Sequence, residues 1–157
     1  YQWREIPSYE PNTLERASKR GKGYLTDAGL ACYLQGIRDP LSLLNHSSFG
    51  SLFETHCINL VFKLIAGLFR RPEVYHWRLL SSSEVDLVLH MNGKLYPIEI
   101  KAGDNPSKYD ARGILALQER LGSTVQHGLV LHAGTGCYPL HEKVTALPFN
   151  ALIRSPR

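Results

Sequence analysis

The chain has 157 residues, of which 43% are hydrophobic and 20% are charged, and its formal net charge is +4. This length fits one compact domain, and the composition excludes a disordered tail. The mild positive charge permits a polyanionic partner without requiring one. The longest apolar run, at residues 60–69, contains Lys63 and is too short to cross a membrane, so no membrane partner is expected.

The cysteines are scattered along the chain as Cys32, Cys57 and Cys137. Their number is odd, and no pair has the spacing of a zinc finger. A disulfide framework is therefore not expected, and a reducing, cytoplasmic location fits this cysteine usage best.

The first 22 residues are polar and contain a basic cluster, Arg16, Lys19, Arg20 and Lys22. We interpret residues 1–22 as a connecting segment and residues 23–157 as an α/β domain. A short strand is predicted at 23–26. Asp27 then caps a helix that ends near Gly36, and residues 38–50 are predicted to be a loop.

The strongest helix pattern runs from residue 51 to Pro72, which cannot continue a helix. Its apolar positions recur every three or four residues, as expected of one buried face. This apolar stripe consists of Phe53, Cys57, Leu60, Val61, Leu64, Ile65 and Leu68. The remaining predicted elements are strands at 74–80, 84–91 and 94–101, a helix at 108–122, a strand at 126–134, a last strand at 143–148 and a short tail at 149–153. The order helix, three strands, helix, strand predicts a mixed β-sheet flanked by α-helices.

The hairpin at 84–101 has the sequence EVDLVLHMNGKLYPIEIK. Asn-Gly is the strongest short hairpin signal, because both turn residues must adopt positive φ. A two-residue turn places Asp86 opposite Glu99 and Glu84 opposite Lys101, and all four share one face. The other face would carry Val85, Leu87, Leu89, Met91, Tyr96, Ile98 and Ile100, which must pack on a core.

Two carboxylates that face each other in this way, about 5 Å apart at Cβ, repel one another. The pair is stable only if one acid is protonated or a cation lies between them, and a hard divalent ion suits oxygen ligands. The alternative is a solvated sheet face with an ordinary Glu84–Lys101 ion pair. The apolar residues Ile98 and Ile100 argue against this alternative, because they indicate that the strand is largely buried. Pro97 argues for it, because a proline removes a backbone hydrogen-bond donor and is unusual in an inner strand.

A third acid, Glu54, lies along the edge of the apolar stripe of the 51–71 helix. It can point toward the sheet, or it can be a solvated glutamate near the helix N-terminus, where negative charge is favourable. The acids of the hairpin favour the first interpretation.

A helix acid followed by D and then by E-x-K across a hairpin resembles the PD-(D/E)XK nuclease-like fold. More narrowly, the chain is similar to the C-terminal domain of unknown function that follows a AAA-type ATPase module in many bacterial and archaeal proteins. The similar stretches are GYLTDAGLACYLQGI, GSLFETHCINLVFKL, HWR, SSEVDLVL and GKLYPIEIKAG, in that order. The resemblance covers roughly residues 20–150 and implies a restriction-endonuclease-like core.

The resemblance also implies a site. Asp86 and Glu99 would bind Mg²⁺, or Mn²⁺ in its place, with Lys101 completing the catalytic triad and Glu54 assisting. If the domain hydrolyses phosphodiesters, the carbonyl of Ile100 could be a further metal ligand. Gln118 on the following helix could face the same site and contact substrate, although a solvated helix glutamine is the better interpretation of this residue. Val85 stands where the family pattern has proline before the first acid.

Two functions follow from this resemblance. The first is a metal-dependent nuclease acting on nucleic acid, DNA rather than RNA, as the C-terminal part of a AAA-type ATPase. The alternative is a non-catalytic nucleic-acid-binding, regulatory or oligomerising module of that ATPase. The chain itself has no G-x-x-x-x-G-K-[ST] loop, so no ATP site is expected in it.

Overall fold

The computed structural model describes residues 2–11, 20–79 and 83–153 of the chain. The strands are β1 (Trp3–Ile6), β2 (Lys22–Leu25), β3 (Glu73–Arg78), β4 (Glu84–Met91), β5 (Lys94–Lys101), β6 (Gly128–His132), β7 (Tyr138–His141) and β8 (Val144–Pro148). The α-helices are α1 (Ala28–Leu34), α2 (Pro40–Leu44), α3 (Phe49–Ala66) and α4 (Arg112–Leu121), with single 3₁₀ turns at Lys108–Ala111, Gly122–Thr124 and Phe149–Leu152. The fold is mixed α/β, as predicted.

The main sheet has six strands in the order β3-β4-β5-β6-β8-β7, and β1 pairs with β2 in a separate two-stranded sheet. The pairs β5–β6 and β6–β8 are parallel, whereas β3–β4, β4–β5 and β7–β8 are antiparallel. The helix that precedes β3 and the helix that follows β5 both pack on this sheet. The predicted order from the long helix to β6 is therefore observed.

The hairpin turn has the predicted geometry. Asn92 and Gly93 have φ of 52° and 72°, and Met91 faces Lys94. The paired residues then continue only as far as Leu87 and Ile98. The predicted ladder pair of Asp86 and Glu99 is therefore wrong: the pairing of the two strands ends one residue earlier.

A bulge in β4 explains a second difference. Tyr75 pairs with Val88 and Trp77 with Val85, so two residues of β4 oppose one residue of β3. An extra residue of this kind shifts the alternation of side chains along the strand. The predicted common face of Val85 and Leu87 is therefore wrong, since Val85 packs in the core under α4 and Leu87 packs in the core under α3.

The two cores cover opposite faces of the sheet. The predicted apolar stripe of α3 is buried at Phe53, Cys57, Val61 and Ile65. Leu64 and Leu68, also assigned to the stripe, are 44% and 48% exposed. The helix ends at Ala66 rather than at Pro72, and the Gly67 N–H caps its last turn.

Among the described strands and α-helices, sequence patterns did not predict β1, α2 and β7. Within the expected loop at 38–50, α2 begins after Asp39, whose carboxylate accepts the Ser42 N–H at 2.9 Å. The edge strand β7 was also missed. No helix in the described ranges is both long enough and apolar enough to span a bilayer.

The boundary at residue 22 stays a prediction. The described part of the segment before it contributes β1, and Ser8 forms a bridge with His76 at the edge of the main sheet. Arg16 and Lys19 of the predicted basic cluster lie outside the described residues.

Candidate functional site

An open pocket of about 400 Å³ lies where β4 and β5 separate. Its lining includes five acids, Glu54, Glu84, Asp86, Glu99 and Asp110. It also includes three bases, Lys22, Lys101 and Arg112. All four residues predicted to be catalytic, Glu54, Asp86, Glu99 and Lys101, therefore meet in one pocket, although their roles stay predictions.

Asp86 lies in the bulge of β4 and is only 6% exposed. Its Oδ2 accepts the Ile100 N–H at 2.9 Å, and its Oδ1 accepts a hydrogen bond from Lys22 Nζ at 3.0 Å. The carboxylate thus binds the β5 backbone at the point where the β4–β5 ladder has ended. Ile100 contributes its amide here, and the proposed role of its carbonyl as a metal ligand stays a prediction.

Glu99 has one paired and one unpaired oxygen. It is 7% exposed, and its Oε1 accepts from Lys101 Nζ at 2.7 Å. Its Oε2 is buried and has no hydrogen-bond partner among the described residues. Burial, together with the Asp86 charge, raises the pKa of the Glu99 carboxyl to about 8.

The alternative of a solvated sheet face does not hold. Asp86 and Glu99 are both buried, and Lys101 binds Glu99 instead of Glu84. Glu84 binds Lys22 and lies 3.8 Å from Arg78.

Glu54 of α3 does point toward the sheet. The Tyr24 hydroxyl donates to its Oε1 at 2.6 Å, and Lys22 Nζ lies 3.5 Å from the same oxygen. Burial and then the Asp86 charge raise the pKa of the Glu54 carboxyl above its ordinary value. The helix therefore supplies a third acid to the pocket, as the sequence suggested.

Lys22 is the central residue that sequence reasoning missed. Its ammonium binds Glu54, Glu84 and Asp86, yet the sequence shows only a lysine in a basic segment. Burial alone would lower the pKa of this ammonium, but the three acids raise it above its ordinary value, so Lys22 stays charged. No local pattern could have found it, because β2 and β4 are distant in the chain.

Tyr109 and Arg112 form the rim of the pocket on the side of α4. The Arg112 guanidinium carbon lies 3.0 Å from the centre of the Tyr109 ring, and both side chains are exposed. Gly113 allows α4 to approach β4, since a Cβ there would overlap the Glu84 carbonyl oxygen. Gln118 instead binds the carbonyls of Gln126 and Lys143, away from this pocket.

The donors in the pocket suit a hard divalent cation, because they are oxygen atoms and Glu99 Oε2 is buried without a partner. Within the described ranges, no three His, Cys, Asp or Glu side chains are placed to hold a metal ion together. Mg²⁺ is usually held by one or two carboxylates, with water and substrate phosphate filling the other positions. Asp86 and Glu99 fit this pattern.

These features define a mixed α/β domain with a pocket of acids and lysines where its central hairpin opens. The chain belongs to the protein family described as a domain of unknown function (DUF4143), whose sequence model matches residues 49–152. The matched span contains Glu54, Asp86, Glu99 and Lys101 and begins after Lys22.

The chain is similar to two mycobacterial proteins. It is 26% identical over 150 residues to the uncharacterized protein Mb2031c of Mycobacterium bovis and, equally, to the uncharacterized protein Rv2008c of Mycobacterium tuberculosis. Each match covers 96% of this chain and 32% of the relative, so the chain spans about a third of the length of these relatives. No solved structure matches the chain significantly.

Proposed function

We propose that this domain is a metal-dependent nuclease with a restriction-endonuclease-like core that hydrolyses phosphodiester bonds. The observation that carries the proposal is the state of Glu99: one oxygen binds Lys101, and the other is buried without a partner beside Asp86. A buried carboxyl oxygen without a partner is costly unless the group is protonated or a cation or ligand joins it in the working protein.

Asp86 and Glu99 would hold Mg²⁺, with Glu54 and the Ile100 carbonyl as further candidate ligands. When bound, the ion would polarise the scissile phosphate and lower the pKa of an attacking water. The backbone amide of Ile100 already orients the Asp86 carboxylate at 2.9 Å, so this ligand is positioned before any ion arrives.

Lys101 would stabilise charge that develops on the phosphate or orient the attacking water. Its side chain is 38% exposed, and its ammonium lies 2.7 Å from Glu99, so it reaches both the pocket and solvent. Arg112 at the rim would contact a substrate phosphate, and Tyr109 would stack against a base.

The wider setting is part of the proposal. The chain spans about a third of its mycobacterial relatives, which leaves room for a second module such as the AAA-type ATPase that the sequence resemblance implies. We propose DNA rather than RNA as the substrate, a cytoplasmic location, and assembly into an oligomer through that ATPase.

The alternative is a non-catalytic nucleic-acid-binding, regulatory or oligomerising module. One observation favours it: Lys22 and Lys101 together bind all four of Glu54, Glu84, Asp86 and Glu99. Acids that are neutralised in this way can persist in a fold without turnover.

A cleavage assay with Mn²⁺ on single-stranded DNA, double-stranded DNA and RNA tests the proposal, using the chain alone and a full-length relative. Cutting should be lost in Lys101→Ala and retained in Lys94→Ala, which alters the same strand outside the pocket. If nothing is cut and Asp86→Asn leaves Mn²⁺ affinity unchanged, the nuclease proposal is wrong. Nucleic-acid binding without cutting, unaffected by changes at Asp86 and Lys101, would support the alternative.

A further inference from the structure

One ammonium group holds together three carboxylates from two elements. Lys22 Nζ lies 3.0 Å from Asp86 Oδ1 and 3.5 Å from Glu54 Oε1, and it also contacts Glu84 Oε1. The Lys22 side chain is 24% exposed, so most of it is shielded from solvent. A cation therefore already occupies the acidic part of the pocket.

The other partners of these acids do not neutralise them. Glu54 accepts from the Tyr24 hydroxyl and Asp86 from the Ile100 amide, which are both uncharged donors. Among the ion pairs of the described residues, only Glu84 has a second cationic partner, Arg78, at 3.8 Å, and that side chain is 68% exposed. Lys101 acts on the Asp86 charge without a direct ion pair, because its ammonium binds Glu99. Without Lys22, the carboxylates would face one another with little compensation, an arrangement that disfavours their charged forms.

The ammonium enters the pocket from outside the main sheet. Lys22 is the first residue of β2, which pairs with β1 in the two-stranded sheet, where it faces Ile6. A lysine ammonium is a compact charge on a flexible four-carbon stem, so it can leave the acids without movement of the strand. The acids themselves are fixed by α3 and by the bulge of β4.

We infer that Lys22 is the resident cation of this pocket and competes with a divalent metal ion for Glu54 and Asp86, so that it sets the metal affinity of the site. This inference rests on the proposed function. A metal ion bound at Asp86 Oδ1 would take the position next to the ammonium, and the two positive charges repel each other at such short range. The ammonium must therefore withdraw whenever the metal binds.

The test compares Lys22→Gln with Lys63→Gln. Lys63 is an exposed lysine on α3 away from this pocket, so the control removes the same charge at another place. Unfolding by urea in EDTA and calorimetric titration with Mn²⁺ are measured for both variants and for the unchanged chain. Neither measurement requires enzymatic activity.

The Lys22→Gln variant should be less stable than the unchanged chain in EDTA and should bind Mn²⁺ at least about tenfold more tightly. Mn²⁺ should also restore part of its lost stability, because the ion binds the folded state. Lys63→Gln should change neither quantity. Adding Asp86→Asn to Lys22→Gln should abolish the gain in affinity.

Equal Mn²⁺ affinity in the Lys22→Gln variant and the unchanged chain would overturn the inference and leave the proposed metal site standing. Tighter binding in Lys22→Gln, with no cleavage of any nucleic acid at saturating Mn²⁺, would support the inference and overturn the nuclease. If neither protein binds Mn²⁺, both are wrong.

Discussion

The Lys22 ammonium lies 3.0 Å from the Asp86 carboxylate, although 64 positions separate the two residues in the chain. The contact joins the two-stranded sheet to the strand that carries the candidate metal ligand. It places a positive charge on one of the two acids between which the sequence suggested a cation.

Replacing Asp86 with Asn should weaken Mn²⁺ binding by at least about tenfold, because it removes a charged oxygen ligand. The variant keeps a side-chain oxygen that can accept the Ile100 N–H, so the hydrogen bond that joins β4 and β5 at this point should be retained. Calorimetric titration measures the affinity, and circular dichroism checks the fold. Glu119→Gln, on the exposed side of α4, is the matched control and should bind as the unchanged chain does.

Glu99 should make stability in EDTA depend on pH. Its pKa in the folded protein is about 8, compared with an ordinary value of 4.5. Between these values the folded protein holds a proton that the unfolded chain releases, so the free energy of unfolding should fall as pH rises.

The glutamine in Glu99→Gln does not titrate, so the free energy of unfolding of this variant should fall less between pH 5 and pH 9. Urea unfolding at several pH values measures the two slopes, with Glu119→Gln as a control that retains the steeper one. Parallel curves for Glu99→Gln and the unchanged chain would show that Glu99 does not carry this dependence.

Gly113→Ala should destabilise the domain by about 1–3 kcal/mol, because the added Cβ overlaps the Glu84 carbonyl oxygen and forces α4 away from β4. Gly50→Ala is the control, since Gly50 lies in α3 and a Cβ added there would meet open space. That change should be neutral or stabilising by up to about 1 kcal/mol, because alanine favours helix. Thermal or urea unfolding separates the two outcomes, and equal effects would contradict the close packing of α4 on β4.

Arg112→Gln should weaken binding of a single-stranded DNA oligonucleotide and reduce the salt dependence of binding by about one phosphate contact. Arg120→Gln, further along the same helix and outside the pocket, should have a smaller effect. Fluorescence anisotropy at several salt concentrations measures both.

Tyr109→Ala tests base stacking at the same rim and should cost about 1–3 kcal/mol of binding for each stacked base. Tyr33→Ala is its control, because Tyr33 is 73% exposed but lies on α1. Equal losses for Tyr109→Ala and Tyr33→Ala would place the nucleic acid elsewhere.

The hairpin register and the buried face of α3 could be predicted from the sequence. The Asn-Gly turn sets the register from Met91–Lys94 to Leu87–Ile98, and helical spacing gave the buried face of α3. The placement of Glu54 beside the hairpin followed from that same face. These features depend on residues that are close in the chain, where backbone geometry and side-chain periodicity leave few choices.

The bulge, the early end of the β4–β5 ladder and the contacts of Lys22 could not be predicted in this way. The bulge depends on how β3 pairs with β4. The β4–β5 ladder ends where the Asp86 carboxylate accepts a hydrogen bond from the Ile100 N–H.

By itself, the sequence determined that an Asp, a Glu and a Lys would meet at one end of a hairpin, because turn type and alternation are local properties. Only the tertiary structure decided which cation those acids hold. Lys22 reaches Asp86 through the packing of a separate strand pair, whereas Glu99 binds Lys101 of its own strand. Buried charge attracts whichever cation the fold brings within reach.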